Sequence, residues 1–286
     1  MKNIVMGVDI GGSHITALLI DIDKKEEIQG TWSREKLNSN ASAEEVIEIW
    51  AGTIERSINS CRIAPQKINI AMPGPMDYRE GICKIRGQEK YEALYGLNIK
   101  QMLAGRLGIL SSNVNFVNDA ACFLKGELFN GSLNDVGDAI GLTLGTGLGT
   151  SHTEKGCVKD ANLWKMPFLK GKAEDYISTR WFIKRFHELT GITVMDVKDL
   201  VDNHQGSPYF NAVFLEFSIN LAKFLYKFIR IKMPLAAVIG GNIVNAEEFF
   251  LEDTRRFLAD KMGYSFPVKK SILGERATLI GAGAST

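Results

Sequence analysis

The chain is poor in the residues that staple, anchor or charge a protein. It has only four cysteines among 286 residues, and Lys+Arg 34 nearly balances Asp+Glu 33 for a net charge of +1. Cys61, Cys83, Cys122 and Cys157 form no CxxC pair, which excludes a zinc knuckle and a thioredoxin-type redox motif. Free thiols in a reducing compartment are the expectation. The lack of a basic excess removes the global argument for a nucleic-acid partner. No apolar run reaches the roughly 18 residues that a membrane-spanning helix needs, so no membrane partner is expected. The N-terminal segment meets Asp9 too early for the apolar region of a signal peptide, and a cytoplasmic location is expected. His14, His152, His187 and His204 fall in no HExxH or His-x-His spacing, so they do not announce a metal cluster.

What is present is an ordinary globular composition, 45% hydrophobic and 23% charged. Such a chain can bury a large core without disulfides, and at roughly 150 residues per domain it has length for about two. The apolar pattern predicts an α/β fold. Residues 4–10 and 15–22 read as two strands joined by Gly11-Gly12, and residues 29–34 as a third. Ser42-Ala43-Glu44-Glu45 has the form of a capping box, followed by Val46, Ile49, Trp50, Ile54 and Ile58 at helical spacing. A strand over 68–72 ends at Pro73-Gly74-Pro75, residues 77–95 read as loop with short elements, and residues 99–107 as a helix. A short strand over 115–117 leads into a helix that opens at Asn118-Asp119 and runs to about residue 128.

The second half restarts the same order. Residues 139–144 are a strand, Gly145-Thr146-Gly147-Leu148-Gly149-Thr150 a turn, and 151–153 open a return strand. Helices are expected over 174–189, 208–232, 246–261 and 277–284, and strands over 235–239 and 268–272. The aromatic-rich segment 210–228 reads as core rather than as a ligand face.

Three sites stand out. Asp9-Ile10-Gly11-Gly12-Ser13 places a carboxylate at a strand end beside glycines whose N–H groups can approach a polyphosphate. A carboxylate there repels bare phosphate, so it makes sense with Mg²⁺ between them; a plain hairpin turn with a surface Asp is the competing reading. The second glycine loop lacks the Gly-Lys-Ser/Thr of a Walker A loop and misses the dinucleotide spacing. Two such loops at matching places point to one clamped polyphosphate. Asn118-Asp119 suits either a helix cap or a general base with Asn118 orienting the acceptor. Gly240-Gly241 and Gly281-Ala282-Gly283-Ala284 serve helix packing as readily as a flat ligand.

In this order and spacing the motifs resemble the ROK family of sugar kinases, within the sugar kinase, actin and Hsp70 superfamily. Asp9-Ile10-Gly11-Gly12-Ser13 and residues 145–149 resemble its two phosphate loops. Pro73-Gly74-Pro75-Met76-Asp77 resembles a segment near the sugar, and Asn118-Asp119-Ala120 the segment with the catalytic aspartate. Residues 238–241 and 277–282 resemble the adenosine-side and closing segments. Two departures stand against this. The family's Gly-Glu-x-Gly-His becomes Ala161-Asn162-Leu163-Trp164-Lys165, so Asn162 replaces the Glu and Lys165 the His that contact the sugar. The cysteine-rich zinc module is replaced by Phe168-Leu169-Lys170-Gly171-Lys172, so no structural zinc is expected.

The resemblance implies two ribonuclease-H-like (actin-like ATPase) α/β domains with a cleft between them. The expected division is 1–117 and 118–286, with the last helix free to return to the first domain. It further implies an ATP-dependent kinase acting on a hexose or N-acetylhexosamine, glucokinase-like, with Asp119 as general base. Asp9 would hold Mg²⁺ through water, and Gly11, Gly12, Ser13, Gly145, Thr146, Gly147, Gly149, Gly240 and Gly241 would line the nucleotide. Asn118, Asp77, Asn162 and Glu174 would contact sugar hydroxyls. Family members are often homodimers. The Asn162 and Lys165 departures keep open a second reading, a sugar- and nucleotide-binding protein without turnover.

Overall fold

The computed structural model describes residues 3–88 and 90–285; Glu89, inside the segment expected to be loop, lies outside them. The chain divides into two compact units, residues 1–134 with 275–286, and residues 135–274.

The first unit is built on a six-stranded sheet. β1 (Ile4–Ile10) and β2 (His14–Asp21) form an antiparallel hairpin in which Ile10 faces Ile15 across the glycine turn. Both strands are apolar on both faces, as strands covered on two sides must be. The expected strand over 29–34 is instead two short pieces, β3 (Glu26–Glu27) and β4 (Ser33–Lys36), both paired to β2. Gly30, at φ 78°, and a Thr31 N–H donated to the Ile28 carbonyl (3.3 Å) turn the chain between them. α1 (Ala43–Asn59) starts with the anticipated capping box, Ser42 and Glu45 satisfying each other's backbone N–H groups, and buries Trp50 and Ile54. Ser42→Ala should lower stability by about 1 kcal/mol in urea unfolding; an unchanged midpoint would show that the cap does not hold α1.

β5 (Ile68–Met72) lies parallel to β1, and after the hairpin β6 (Met76–Asp77) and β7 (Ile82–Cys83) the chain enters α2 (Ile99–Leu107). β8 (Val114–Asn118) adds in parallel to β5 and runs straight into α3 (Asp119–Asn130).

The second unit repeats this plan. β9 (Ala139–Leu144) and β10 (Leu148–Glu154) are its antiparallel hairpin, and β11 (Cys157–Asp160) extends the outer edge. A small hairpin, β12 (Pro167–Phe168) with β13 (Gly171–Lys172), follows. The helix expected over 174–189 begins only at Thr179, as α4 (Thr179–Thr190). Ser178 is extended (φ −157°, ψ 165°), and the Thr179 N–H is spent on the Gly145 carbonyl (2.8 Å), so no helix can run through this point. α5 (Val197–His204) was not expected; it is short and only Val197 and Leu200 are buried, too little for a periodic signal. α6 (Pro208–Lys232) supplies Phe210, Phe214, Phe217, Phe224 and Phe228 to the core. β14 (Ala236–Gly240) lies parallel to β9, the expected helix over 246–261 is a 3₁₀ segment kinked at Ala246 and then α7 (Leu251–Met262), and β15 (Val268–Lys270) closes the sheet. The order β11-β10-β9-β14-β15 matches β3-β2-β1-β5-β8 strand for strand.

α8 (Arg276–Gly283) then returns to the first unit. The expected division after residue 117 therefore shifts to residue 134, because α3 and α8 are packed backbone to backbone. A Cβ on Gly281 would lie 1.7 Å from the Cys122 carbonyl oxygen, and one on Gly126 2.0 Å from that of Ala277. Glycine at these positions is a packing requirement, which accounts for the closing glycine motif without a ligand.

Candidate functional site

Parallel pairing aligns three strand ends in the first unit. Asp9 on β1 is level with Ala71 on β5, and Ala71 with Val117 on β8. The glycine turn, the Pro73-Gly74-Pro75 segment and Asn118-Asp119 thus leave the sheet at one edge, the carboxyl ends where ligands of open α/β sheets bind. Gly11 and Gly12 leave open space: a Cβ on Gly12 would meet nothing within 4 Å, and one on Gly11 only the His14 carbonyl at 3.7 Å. Ser13 exchanges a hydrogen bond with the neighbouring His14 ring (2.9 Å).

Asp9 is the electrostatic focus. Burial, reinforced by the nearby carboxylates of Asp119 and Glu275 and opposed by Arg34, pushes its carboxyl up to about 7. Among the described residues no hydrogen bond holds that carboxylate. Such a group at the mouth of an open glycine turn fits a hydrated divalent cation, which would supply the missing counter-charge.

Asp119 occupies the first position of α3, where the helix dipole favours a negative group. One of its oxygens accepts the Ala120 N–H (2.8 Å). Asn118 caps the same helix through Ala121 N–H (3.0 Å), and its amide donates to the Tyr78 hydroxyl (3.3 Å). Asp77 is engaged locally: it accepts the Glu80 N–H (3.2 Å) and faces Lys84 (3.6 Å), which together hold its carboxyl below the usual range.

Two tyrosines brace this edge and were not anticipated. The buried Tyr91 donates its hydroxyl to the Gly11 carbonyl while its own N–H reaches Ser39 O (2.7 Å). Tyr78 donates to Met72 O (3.1 Å) below the Pro-Gly-Pro turn. Both lie in the aperiodic stretch 77–95, where no spacing signals a long-range partner.

In the second unit the glycine loop after β9 closes on itself, Gly145 N–H donating to Gly147 O (3.1 Å). Gly145 is open on its Cβ side, and Thr146 is exposed. Gly240 ends β14 beside Thr143 of β9. Gly241, at φ 90°, has room for no Cβ, which would stand 2.4 Å from the Leu144 carbonyl. Glu174 sits directly on the loop. Its Oε2 accepts the Leu148 N–H (3.1 Å) and would be 2.5 Å from a Cβ on Gly147, so this glycine makes room for a carboxylate. Its Oε1 is held by Arg180 (2.9 Å) and Lys172 (3.4 Å). Asn162 takes a left-handed conformation (φ 53°) and donates its N–H to Asp160 (2.7 Å). Lys165 ends the following 3₁₀ turn, exposed.

The first unit thus gathers Asp9, Gly11, Gly12, Ser13, Asn118 and Asp119, and the second gathers Gly145, Thr146, Gly147 and Glu174, with Gly240 and Gly241 on the adjoining strand end. Gly149 lies within β10 rather than in the loop.

Residues 5–158 match the ROK family. A glucokinase of Thermotoga maritima is 32% identical over 145 residues, a stretch that is 51% of this chain and 43% of that enzyme. The match therefore spans less than half of the relative's length. Among solved structures, a ROK hexokinase from Thermus thermophilus superposes with a TM-score of 0.79 at 23% identity, over 98% of this chain and 96% of that one. A ROK family glucokinase from Streptomyces griseus, solved with glucose and AMPPNP, gives 0.77 at 20% identity over 98% of both chains. These superpositions establish the two-unit, actin-like ATPase fold. With a family match over more than half of its length on that shared fold, this chain belongs to the ROK family.

Proposed function

We propose that the chain is an ATP-dependent sugar kinase, glucokinase-like, which moves the γ-phosphoryl group of ATP to a hydroxyl of a hexose or N-acetylhexosamine. The observation that carries this reading is the placement of Asp9, in an open glycine turn, and Asp119, at a helix N-terminus, on aligned strand ends close enough for their charges to interact. One carboxylate suits a metal-bound polyphosphate and the other a reacting hydroxyl. The glucokinase relative and the AMPPNP-bound structural neighbour support the same assignment.

Asp119 accepts the proton of the acceptor hydroxyl as its oxygen bonds to phosphorus and the bond to the ADP oxygen breaks. Its carboxylate stands in the first turn of α3, where the positive end of the helix favours the anion. Asn118, rigidly held by the cap and by Tyr78, orients the acceptor, and Asp77, Asn162 and Glu174 complete the sugar contacts. Backbone N–H groups around Gly11, Gly12 and Ser13, and around Gly145, Thr146 and Gly147, take phosphate oxygens; Gly240 and Gly241 give the nucleoside a flat surface. Asp9 would hold Mg²⁺ through water, and the ion would then neutralise phosphate charge. Asn162 and Lys165, standing where relatives of this type carry Glu and His, point away from glucose itself as the preferred acceptor.

ADP release from ATP and Mg²⁺ over a panel of hexoses, N-acetylhexosamines and their analogues tests the proposal. Sugar-dependent turnover is the expected result and identifies the acceptor. Binding of sugar or nucleotide in calorimetry without turnover would replace it by the non-catalytic reading.

A further inference from the structure

The second glycine loop has no lysine of the Walker type, so its own residues offer a phosphate backbone N–H groups and no formal positive charge. Arg180 stands where such a charge is needed. Its Nη2 lies 3.9 Å from the point where a Cβ on Gly147 would be, close against the surface that the absent side chain opens. The side chain is 61% exposed, so a phosphate can reach it. Its position follows from the backbone: Thr179 N–H is tied to Gly145 O (2.8 Å), which fixes the start of α4 to the loop one residue before Arg180.

From this geometry we infer that Arg180 is a phosphate-contacting residue, the side-chain cation that the second glycine loop presents to the terminal phosphates of the nucleotide. The inference rests on the kinase reading above. Glu174 is its resting partner. One Glu174 oxygen is committed to Leu148 N–H (3.1 Å), and the other is shared between Arg180 (2.9 Å) and Lys172 (3.4 Å). When Arg180 turns to a phosphate, Lys172 keeps Glu174 paired and Leu148 keeps the loop in shape. The exchange therefore strands no carboxylate. A planar guanidinium also suits the geometry of phosphate oxygens better than a lysine would.

Calorimetric titration of wild type and Arg180→Ala with AMPPNP and with AMP separates this role from a structural one. Arg180→Ala is expected to bind AMPPNP about 10- to 30-fold more weakly, the scale of a lost charge-assisted hydrogen bond, with AMP affinity unchanged. Arg180→Lys should fall between. Arg185→Ala, which removes a cation farther along α4 that pairs with Glu216 (2.8 Å), should match wild type. In turnover, the KM for ATP should rise in Arg180→Ala while that for sugar holds. Equal AMPPNP affinity in Arg180→Ala and wild type would overturn the inference, and so would a parallel loss of AMP or an equal loss in Arg185→Ala. Absence of sugar-dependent turnover in the wild type would instead sink the kinase reading and leave this binding comparison readable.

Discussion

Asp119→Asn is expected to lower kcat by about a thousandfold while sugar and nucleotide affinities stay within a few-fold, the middle of the range for a positioned general base. The substitution preserves shape, and an asparagine oxygen can still accept the Ala120 N–H that now binds Asp119 (2.8 Å). What disappears is the capacity to take a proton. Single-turnover kinetics with saturating ATP and sugar, together with a thermal melt, separate the two effects. A mutant that retains more than a tenth of the wild-type kcat would remove Asp119 from the mechanism. One that loses activity and melts far below the wild type would assign it to holding the first turn of α3.

The second large effect concerns Asp9 and pH. Its carboxyl sits at about 7 in the folded protein, against 3.8 as the ordinary value, chiefly through burial and then through Asp119 and Glu275. Between those values the folded state holds a proton that the unfolded state has released. Stability of the nucleotide-free protein therefore falls as pH rises through this window, and the loss is complete above about pH 7. Asp9→Asn carries no titrating group there. Relative to wild type it should gain roughly 2–3 kcal/mol between pH 5 and pH 8, from the linkage of a shift of this size. Urea unfolding of both proteins at intervals across that range, without Mg²⁺ or nucleotide, measures the gain. Parallel stability curves would mean that Asp9 titrates normally. Under the proposed function the sign would reverse, since the anion that destabilises the empty fold is the form that would hold a cation.

Elements with strong local chemistry were legible from the residues alone. The capping box of α1, the proline-started and aromatic-rich α6, and both glycine hairpins form where periodicity and turn residues place them. The start of α4 was not, because a tertiary hydrogen bond from Thr179 to Gly145 decides it. At the candidate site, Asp9 and Asp119 stand out in the sequence because the one nears a strand end before a glycine turn and the other opens a helix directly after a strand. Tyr91, Tyr78 and Arg180 could not, since each reaches a group remote in sequence or across a loop with no periodic signal. Glu174 enters from the family resemblance as a sugar contact, while its engagement with Leu148 N–H and Arg180 depends on how β13 and α4 bring it over Gly147.

The return of α8 to the first unit bears on synthesis. The second unit, residues 135–274, is continuous in sequence and can mature as soon as it leaves the ribosome. The first cannot. Gly7 of β1 waits for Leu279, whose carbonyl would be 2.1 Å from a Cβ there, and Asn69 for the carbonyls of Gly283 (3.2 Å) and Ser285 (2.9 Å). Until then the nascent chain carries an uncovered apolar sheet face around Val5, Leu18 and Ile20, the residues that bury against Leu279. A chain released before α8 would thus fail in the half made first, the half that holds Asp9 and Asp119.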